Sequence, residues 1–266
     1  MHLFLHLHLH PAARFLLLAC AALQGAAAGA ASPMTCTAHA SAPPPQVVEL
    51  YTSEGCSSCP PADAWLATLK GRSDVIALAF HVHYWDRLGW PDRFASAAYT
   101  KRQYAWAARQ GSGTVYTPQV LVDGQDWRGW PRLPAAKAAA AATATAAATT
   151  APPQVTLTRQ ADGQVQARVE PIGGAASSAE LRWGAYWAVV EDGHVSHVRA
   201  GENAGETLRH DHVVRLHQTL PVFAAREGLT SRLDVPTGAA SNPRRVVFVV
   251  TSVPGERTLQ AVVLGC

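Results

Sequence analysis

Apolar positions along this chain fall into two textures, and each predicts a different kind of element. Up to about residue 130 they come as short solid runs separated by stretches with helical spacing. Val47-Val48-Glu49-Leu50-Tyr51 and Val75-Ile76-Ala77-Leu78-Ala79-Phe80-His81-Val82 are β-branched or apolar nearly throughout, which predicts strands covered on both faces. Between them, Trp65, Leu66 and Leu69 share one face of a helical stretch beginning near Ala62. A longer helix is predicted from Phe94 to Gln110, stopped by Gly111. Thr117-Pro118-Gln119-Val120-Leu121-Val122 then reads as a strand entering an Asp123-Gly124 turn. Strands alternating with helices predict a βαβ unit, a largely parallel sheet and an antiparallel hairpin at its edge. The Ala/Thr stretch Ala135 to Thr150 is predicted as a further helix, ended by Pro152-Pro153.

Beyond Pro153 the texture becomes that of hairpins, with β-branched and aromatic runs around Gly-containing turns. Gln154–Arg159 and Val165–Glu170 flank Ala161-Asp162-Gly163, and Leu181–Val190 enters Glu191-Asp192-Gly193. Val246–Val253 and Thr258–Leu264 flank Pro254-Gly255. The expected organisation is therefore an α/β domain over residues 46–150 followed by an antiparallel β-sandwich over 154–266.

The first thirty residues belong to neither texture. Arg14, the apolar run Phe15 to Leu23 and small residues up to Ala30 make up a signal peptide, residues 1–30, too short in its apolar part to span a membrane. Leu17-Leu18-Ala19-Cys20 has the look of a lipoprotein processing site, but the apolar stretch before Cys20 is very short, so cleavage near Ala30 is expected. The His/Leu alternation from His2 to His10 is read as part of this leader rather than as a metal tract. Residues 31–45 follow as a flexible tail ending in Pro43-Pro44-Pro45. Export puts the protein in the periplasm or outside the cell, where cysteines pair. The mature chain keeps Cys36, Cys56, Cys59 and Cys266. With a net charge of +3 and no basic run, the sequence lacks the footprint of a nucleic-acid binder.

A lone Cys-x-x-Cys serves as a redox pair, as half of a zinc site or as a structural staple. Cys56-Ser57-Ser58-Cys59 joins a buried strand to a helix inside a βαβ pattern, and no second Cys-x-x-Cys completes a zinc site. Two thiols at this spacing let an attack by Cys56 be resolved by Cys59, and a cysteine near a helix N-terminus gains thiolate character. Pro60 and Pro61 fit only the first helical turn, which makes Ser58 the expected N-cap. Glu49 is a buried proton acceptor for Cys59, or it points to an open edge of the site, or it pairs with a cation. His81 and His83 share a strand face near the cysteines, so His81 with Cys56 and Cys59 forms an alternative copper or zinc ligand set. Asp63 is an early-helix acid, and Trp85, Trp90, Trp127 and Trp130 either pack or line a groove.

Val48 to Cys59 resembles the first strand and active-site turn of thioredoxins and glutaredoxins, and Thr117-Pro118 stands where those proteins carry a cis-proline. Glu49 to Asp63, Phe80 to Asp86, Gly89-Trp90 and Gly201-Glu202-Asn203 to Arg215 resemble a family of secreted bacterial proteins catalogued as domain of unknown function 1223. The resemblance implies a thioredoxin-like fold in the first domain, with Thr117 and Pro118 shaping a substrate site and the Thr117–Pro118 bond cis. The expected function is thiol–disulfide exchange through Cys56 and Cys59 on protein or small-thiol substrates, with no cofactor. A metal-binding protein and a non-catalytic interaction protein remain as alternatives. If Cys56 and Cys59 pair with each other, Cys36 and Cys266 are left to form a second bridge, or else Cys36 lies in a loose tail and Cys266 stays free or pairs between molecules.

Overall fold

The solid apolar runs become strands buried on both faces. In the computed structural model, residues 36–134, 151–171, 181–237, 239 and 241–266 are described, and they fall in one compact unit, Met34–Cys266. In chain order the elements begin with β1 (Thr37–His39), β2 (Gln46–Thr52), α1 (Pro60–Ala67), β3 (Val75–His81), α2 (Ala97–Arg109), β4 (Gln119–Val122) and β5 (Gln125–Asp126). They continue with β6 (Val155–Arg159), β7 (Val165–Val169), β8 (Arg182–Glu191), β9 (His194–His197), β10 (Thr207–His210) and β11 (Val213–Thr219). The last are β12 (Phe223–Ala224), β13 (Leu229–Leu233), β14 (Arg244–Val253) and β15 (Thr258–Leu264).

The protein is mostly β-sheet with few helices, and the strands among the described residues form three sheets. The largest runs β15-β14-β8-β11-β3-β2-β4-β5, with β12 added on β8. Strands β2 and β3 pair in parallel across the α1 crossover, and β4 returns antiparallel to β2. A four-stranded sheet runs β1-β6-β7-β13, and β9 pairs with β10. This corrects the division into an α/β domain and a separate sandwich. Strand β11 lies beside β3 in parallel, with the Ala79 amide donating to the His212 carbonyl, so strands from both halves share one sheet.

Strand alternation sorts the core into three layers. On one face, Val47, Tyr51, Leu78, Phe80, Ala188, Val190, Val247 and Val249 pack with Tyr99 and Trp106 of α2. On the other face, Val48, Leu50, Ala77 and Ala79 meet Ala62, Trp65 and Leu66 of α1, while Trp187, Val189, Phe248 and Val250 meet the four-stranded sheet through Leu157, Val165 and Ala167. Each fully buried large side chain of this kind contributes about 1.5–3 kcal/mol, so the double-faced strands account for most of the stabilising burial.

Three local expectations change. The tail expected at 31–45 contains β1, which pairs with β6 and is thereby held. Glu191-Asp192-Gly193 does not close a hairpin, because β9 leaves β8 and pairs with β10. The helix N-cap is Cys59 rather than Ser58, with Pro60 and Pro61 at the next two positions. The signal peptide and the Ala135–Thr150 helix lie outside the described residues.

Candidate active site

The turn after β2 holds the Cys-x-x-Cys pair. Cys56 and Cys59 are joined by a disulfide with Cα atoms 5.4 Å apart, and neither residue is exposed. Cys59 caps α1 through its carbonyl, which accepts from the amides of Ala62 and Asp63. Cys56 stands before the helix, as expected from the two prolines. Ser57 and Ser58 between the sulfurs are exposed. The Ser58 hydroxyl lies 3.4 Å from the Cys56 sulfur.

Opposite the disulfide, the Thr117–Pro118 bond is cis and the Thr117 hydroxyl donates to Cys56 Sγ at 3.4 Å. The Trp85 indole N–H donates to Thr117 Oγ1 at 2.8 Å, which orients that hydroxyl toward the sulfur. Gly55 is needed here for close approach, since a Cβ on it would stand 3.0 Å from Cβ of Trp85. A second clasp comes from the turn after β9. Asn203 donates its side-chain amide to the carbonyls of Glu54 and Cys56 at 2.8 and 3.0 Å, and Glu202 accepts the Ser57 amide at 2.9 Å. That contact holds the exposed Glu202 carboxyl below the usual range. Sequence reasoning met Glu202 and Asn203 only within a family resemblance and assigned them no role.

Glu49 is not brought to the cysteines. It lies between Val47 and Tyr51 on the α2 face of β2, whereas α1 covers the face of Val48 and Leu50. Arg102 grips both of its oxygens at 2.8 and 2.7 Å, and Tyr186 donates to it at 2.8 Å. The proton-relay expectation for Glu49 is therefore replaced by the cation pairing. A cavity of about 380 Å³ opens beside this pair, and neither cysteine lines it.

The same network sets a pH response. Arg102 Nε donates to His217 Nε2 at 3.2 Å, so that imidazole accepts and is neutral. Burial and then the Arg102 charge lower the His217 pKa to about 3. His212 is lowered to about 4 by burial and Arg245. Below their ordinary value of 6.5 the unfolded chain takes up protons that the folded chain refuses, so stability falls on acidification. Between pH 7 and 5 the loss through His217 is expected to be roughly 1–2 kcal/mol. Urea unfolding at the two pH values measures it, and His217→Gln should flatten the slope.

His81 is held differently from the expectation that joined it to the two cysteines. The sulfurs are bonded to each other, and His81 Nδ1 pairs with Asp92 Oδ2 at 2.7 Å with both side chains buried. Burial alone would lower the His81 pKa, but Asp92, Asp63 and Glu54 outweigh it and raise it. Burial would raise Asp92, yet His81 and the amides of Glu54 and Phe94 bring it down to about 2. His83 turns away to the Thr100 hydroxyl at 2.7 Å. Of the four tryptophans, Trp85 reaches Thr117, Trp90 donates to Glu54 at 2.7 Å, and Trp127 and Trp130 pack on the α1 cluster. Cys36 and Cys266 are bonded, with Cα atoms 6.5 Å apart.

The fold and site thus define a mostly β protein with a buried Cys-x-x-Cys disulfide closed against a threonine hydroxyl. The chain belongs to the family described as "Protein of unknown function (DUF1223)", which it matches over residues 47–251. It is similar to the crystal structure of protein AGR_C_4864 from Agrobacterium tumefaciens at 27% identity and a TM-score of 0.57, over 82% of this chain and 93% of that one. It shares a fold with HBP35 of Porphyromonas gingivalis at 14% identity and a TM-score of 0.51, over 84% of this chain and 75% of that one. No curated protein matches it in sequence. Among the described residues, no helix is long and apolar enough to cross a membrane.

Proposed function

We propose that this protein is an exported thiol–disulfide oxidoreductase whose β2-α1-β3-β4 portion works as a thioredoxin-like unit. The observation that carries the reading is the Cys56–Cys59 disulfide at the start of α1, with the Thr117 hydroxyl 3.4 Å from the Cys56 sulfur. The second disulfide, Cys36–Cys266, supports an oxidising compartment. In the reduced protein the Cys56 thiolate attacks a substrate disulfide, forming a mixed disulfide and releasing one substrate thiolate, which takes a proton from solvent. The Cys59 thiolate then attacks Cys56 Sγ, releases the second substrate thiolate and restores the Cys56–Cys59 bond. An external dithiol returns the pair to the reduced state. Thr117, oriented by Trp85, and Ser58 supply hydroxyl donors to the Cys56 sulfur, which favours the thiolate.

The test is trapping on the exported full chain with a small protein disulfide as substrate. Cys59→Ser should accumulate a mixed disulfide through Cys56, and Cys56→Ser should form none. Thr117→Val keeps the shape but removes the donor, and should raise the Cys56 thiol pKa by roughly one unit, read from the pH dependence of alkylation. Absence of any mixed disulfide in Cys59→Ser, with the Cys56 thiol alkylatable, would refute the oxidoreductase reading.

A further inference from the structure

Beneath the disulfide lies a second cluster that thiol exchange does not use. His81 ends β3, His210 ends β10 and Asp63 stands four residues after Cys59 on α1. All three are buried, and one ligand atom from each lies within 4.8 Å of the others. His81 Nε2 and His210 Nδ1 have no hydrogen-bond partner, while His210 Nε2 faces Glu54 Oε1 at 3.2 Å. The two rings meet edge to face, with centroids 5.0 Å apart. A buried imidazole nitrogen with no partner forfeits its hydration, a cost that a ligated ion removes.

The surroundings match a metal site in three further respects. His81 pairs Nδ1 with Asp92 Oδ2 at 2.7 Å, which leaves its Nε2 as the unpartnered ligand atom, and His210 Nε2 lies 3.2 Å from Glu54 Oε1, which leaves Nδ1. A carboxylate behind each histidine is the usual support for a metal-bound imidazole. Thr52 Oγ1 holds Asp63 Oδ2 at 2.9 Å, which steadies the third ligand. The charge balance is the last respect. Glu54, Asp63 and Asp92 are buried together, and their hydrogen-bond and ion-pair partners among the described residues are backbone amides, hydroxyls, an indole and the two imidazoles. No Lys or Arg partners these three carboxyl groups among the described residues, so the positive charge of the cluster is left to the imidazoles, a role that a bound divalent cation shares.

We propose that Asp63, His81 and His210 bind a divalent transition-metal ion of the zinc class, with one coordination position left to water or another ligand. Two nitrogens and one oxygen suit zinc or cobalt. Bonds of about 2.1 Å in a tetrahedron set ligand atoms about 3.4 Å apart, so binding would draw the three atoms inward from their present spacing within 4.8 Å. This set is distinct from the one that joins His81 to the cysteines, because it needs neither sulfur and is compatible with either redox state of the pair.

The experiment uses the purified full exported chain, stripped with a chelator and titrated with Co²⁺ and with Zn²⁺. One equivalent should bind, and Co²⁺ should give visible d–d bands without a thiolate charge-transfer band in the near ultraviolet. Cys56→Ser/Cys59→Ser should still bind one equivalent. His81→Gln and His210→Gln should each lose stoichiometric binding. Asp92→Asn should weaken it about 10–100-fold, as loss of a supporting carboxylate does. Each variant's fold is checked by circular dichroism, and the wild-type stoichiometry and Co²⁺ spectrum stand even if a histidine variant does not fold. No stoichiometric binding by the wild type, a thiolate band, dependence on the cysteines, or full binding by folded histidine variants would each overturn the proposal.

Discussion

Replacing Arg102 with Leu is expected to destabilise the folded chain by about 3–5 kcal/mol, the usual cost of leaving one member of a buried ion pair alone. Arg102 is the cation that makes Glu49 tolerable inside the sheet. Its guanidinium holds both Glu49 oxygens, donates to the Tyr51 hydroxyl and to His217, and lies over the rings of Phe80 and Tyr186. Tyr186 closes the circle by donating to Glu49, so strands β2, β3, β8 and β11 and helix α2 all meet at one charge pair. Urea unfolding at pH 7 measures the difference. The double variant Arg102→Leu/Glu49→Leu should recover part of it, because removing both partners leaves no orphaned charge. A loss below about 1 kcal/mol in the single variant would mean that the pair is solvated and does not organise the core.

That network also marks where local pattern stops being informative. The period-two rule puts Glu49 on the same face as Val47 and Tyr51, but which face α1 covers depends on the crossover. The expectation of a relay to Cys59 had no way to see α2 and Arg102 on the other side. Elements β2, α1, β3, α2 and β4 were legible because each is specified by residues close in sequence. The insertion of β11 beside β3 was not, because nothing in a strand's own alternation names a partner more than a hundred residues away. The Glu191-Asp192-Gly193 turn reads as a hairpin for the same local reason. In the fold Asp192 instead accepts the His212 amide and pairs with Arg245, and the chain is turned into β9. The cysteines were legible from their spacing at a strand–helix join, and Thr117 and Pro118 only through the resemblance to thioredoxins and glutaredoxins. Glu54, Asp92 and His210 were not, since ordinary acids and a histidine become a cluster only after the sheet has closed.

Removing the Cys36–Cys266 bridge is expected to cost about 2–5 kcal/mol, at the upper end of what one disulfide contributes, because the loop it closes is long. The two cysteines are 230 residues apart in sequence, and an unfolded chain joined across that distance loses a large share of its conformations. The folded state is prepared to receive the bond without large ordering cost. The Cys36 carbonyl accepts the Arg159 amide, β1 follows at once and pairs with β6, and Cys266 lies two residues beyond the end of β15. The bridge thus fastens the edge of the four-stranded sheet to the end of a strand in the large one, across the core that contains Trp187 and Phe248. Cys36→Ser/Cys266→Ser, unfolded in urea under oxidising conditions, should show a lowered midpoint. At about 2–4 °C per kcal/mol for a chain of this size, its melting temperature should fall by roughly 4–20 °C. Equal stability of the double variant and the wild type would show that β1 already holds the N-terminal edge without the bond. In that case the stability of the edge would rest on the β1–β6 pairing alone.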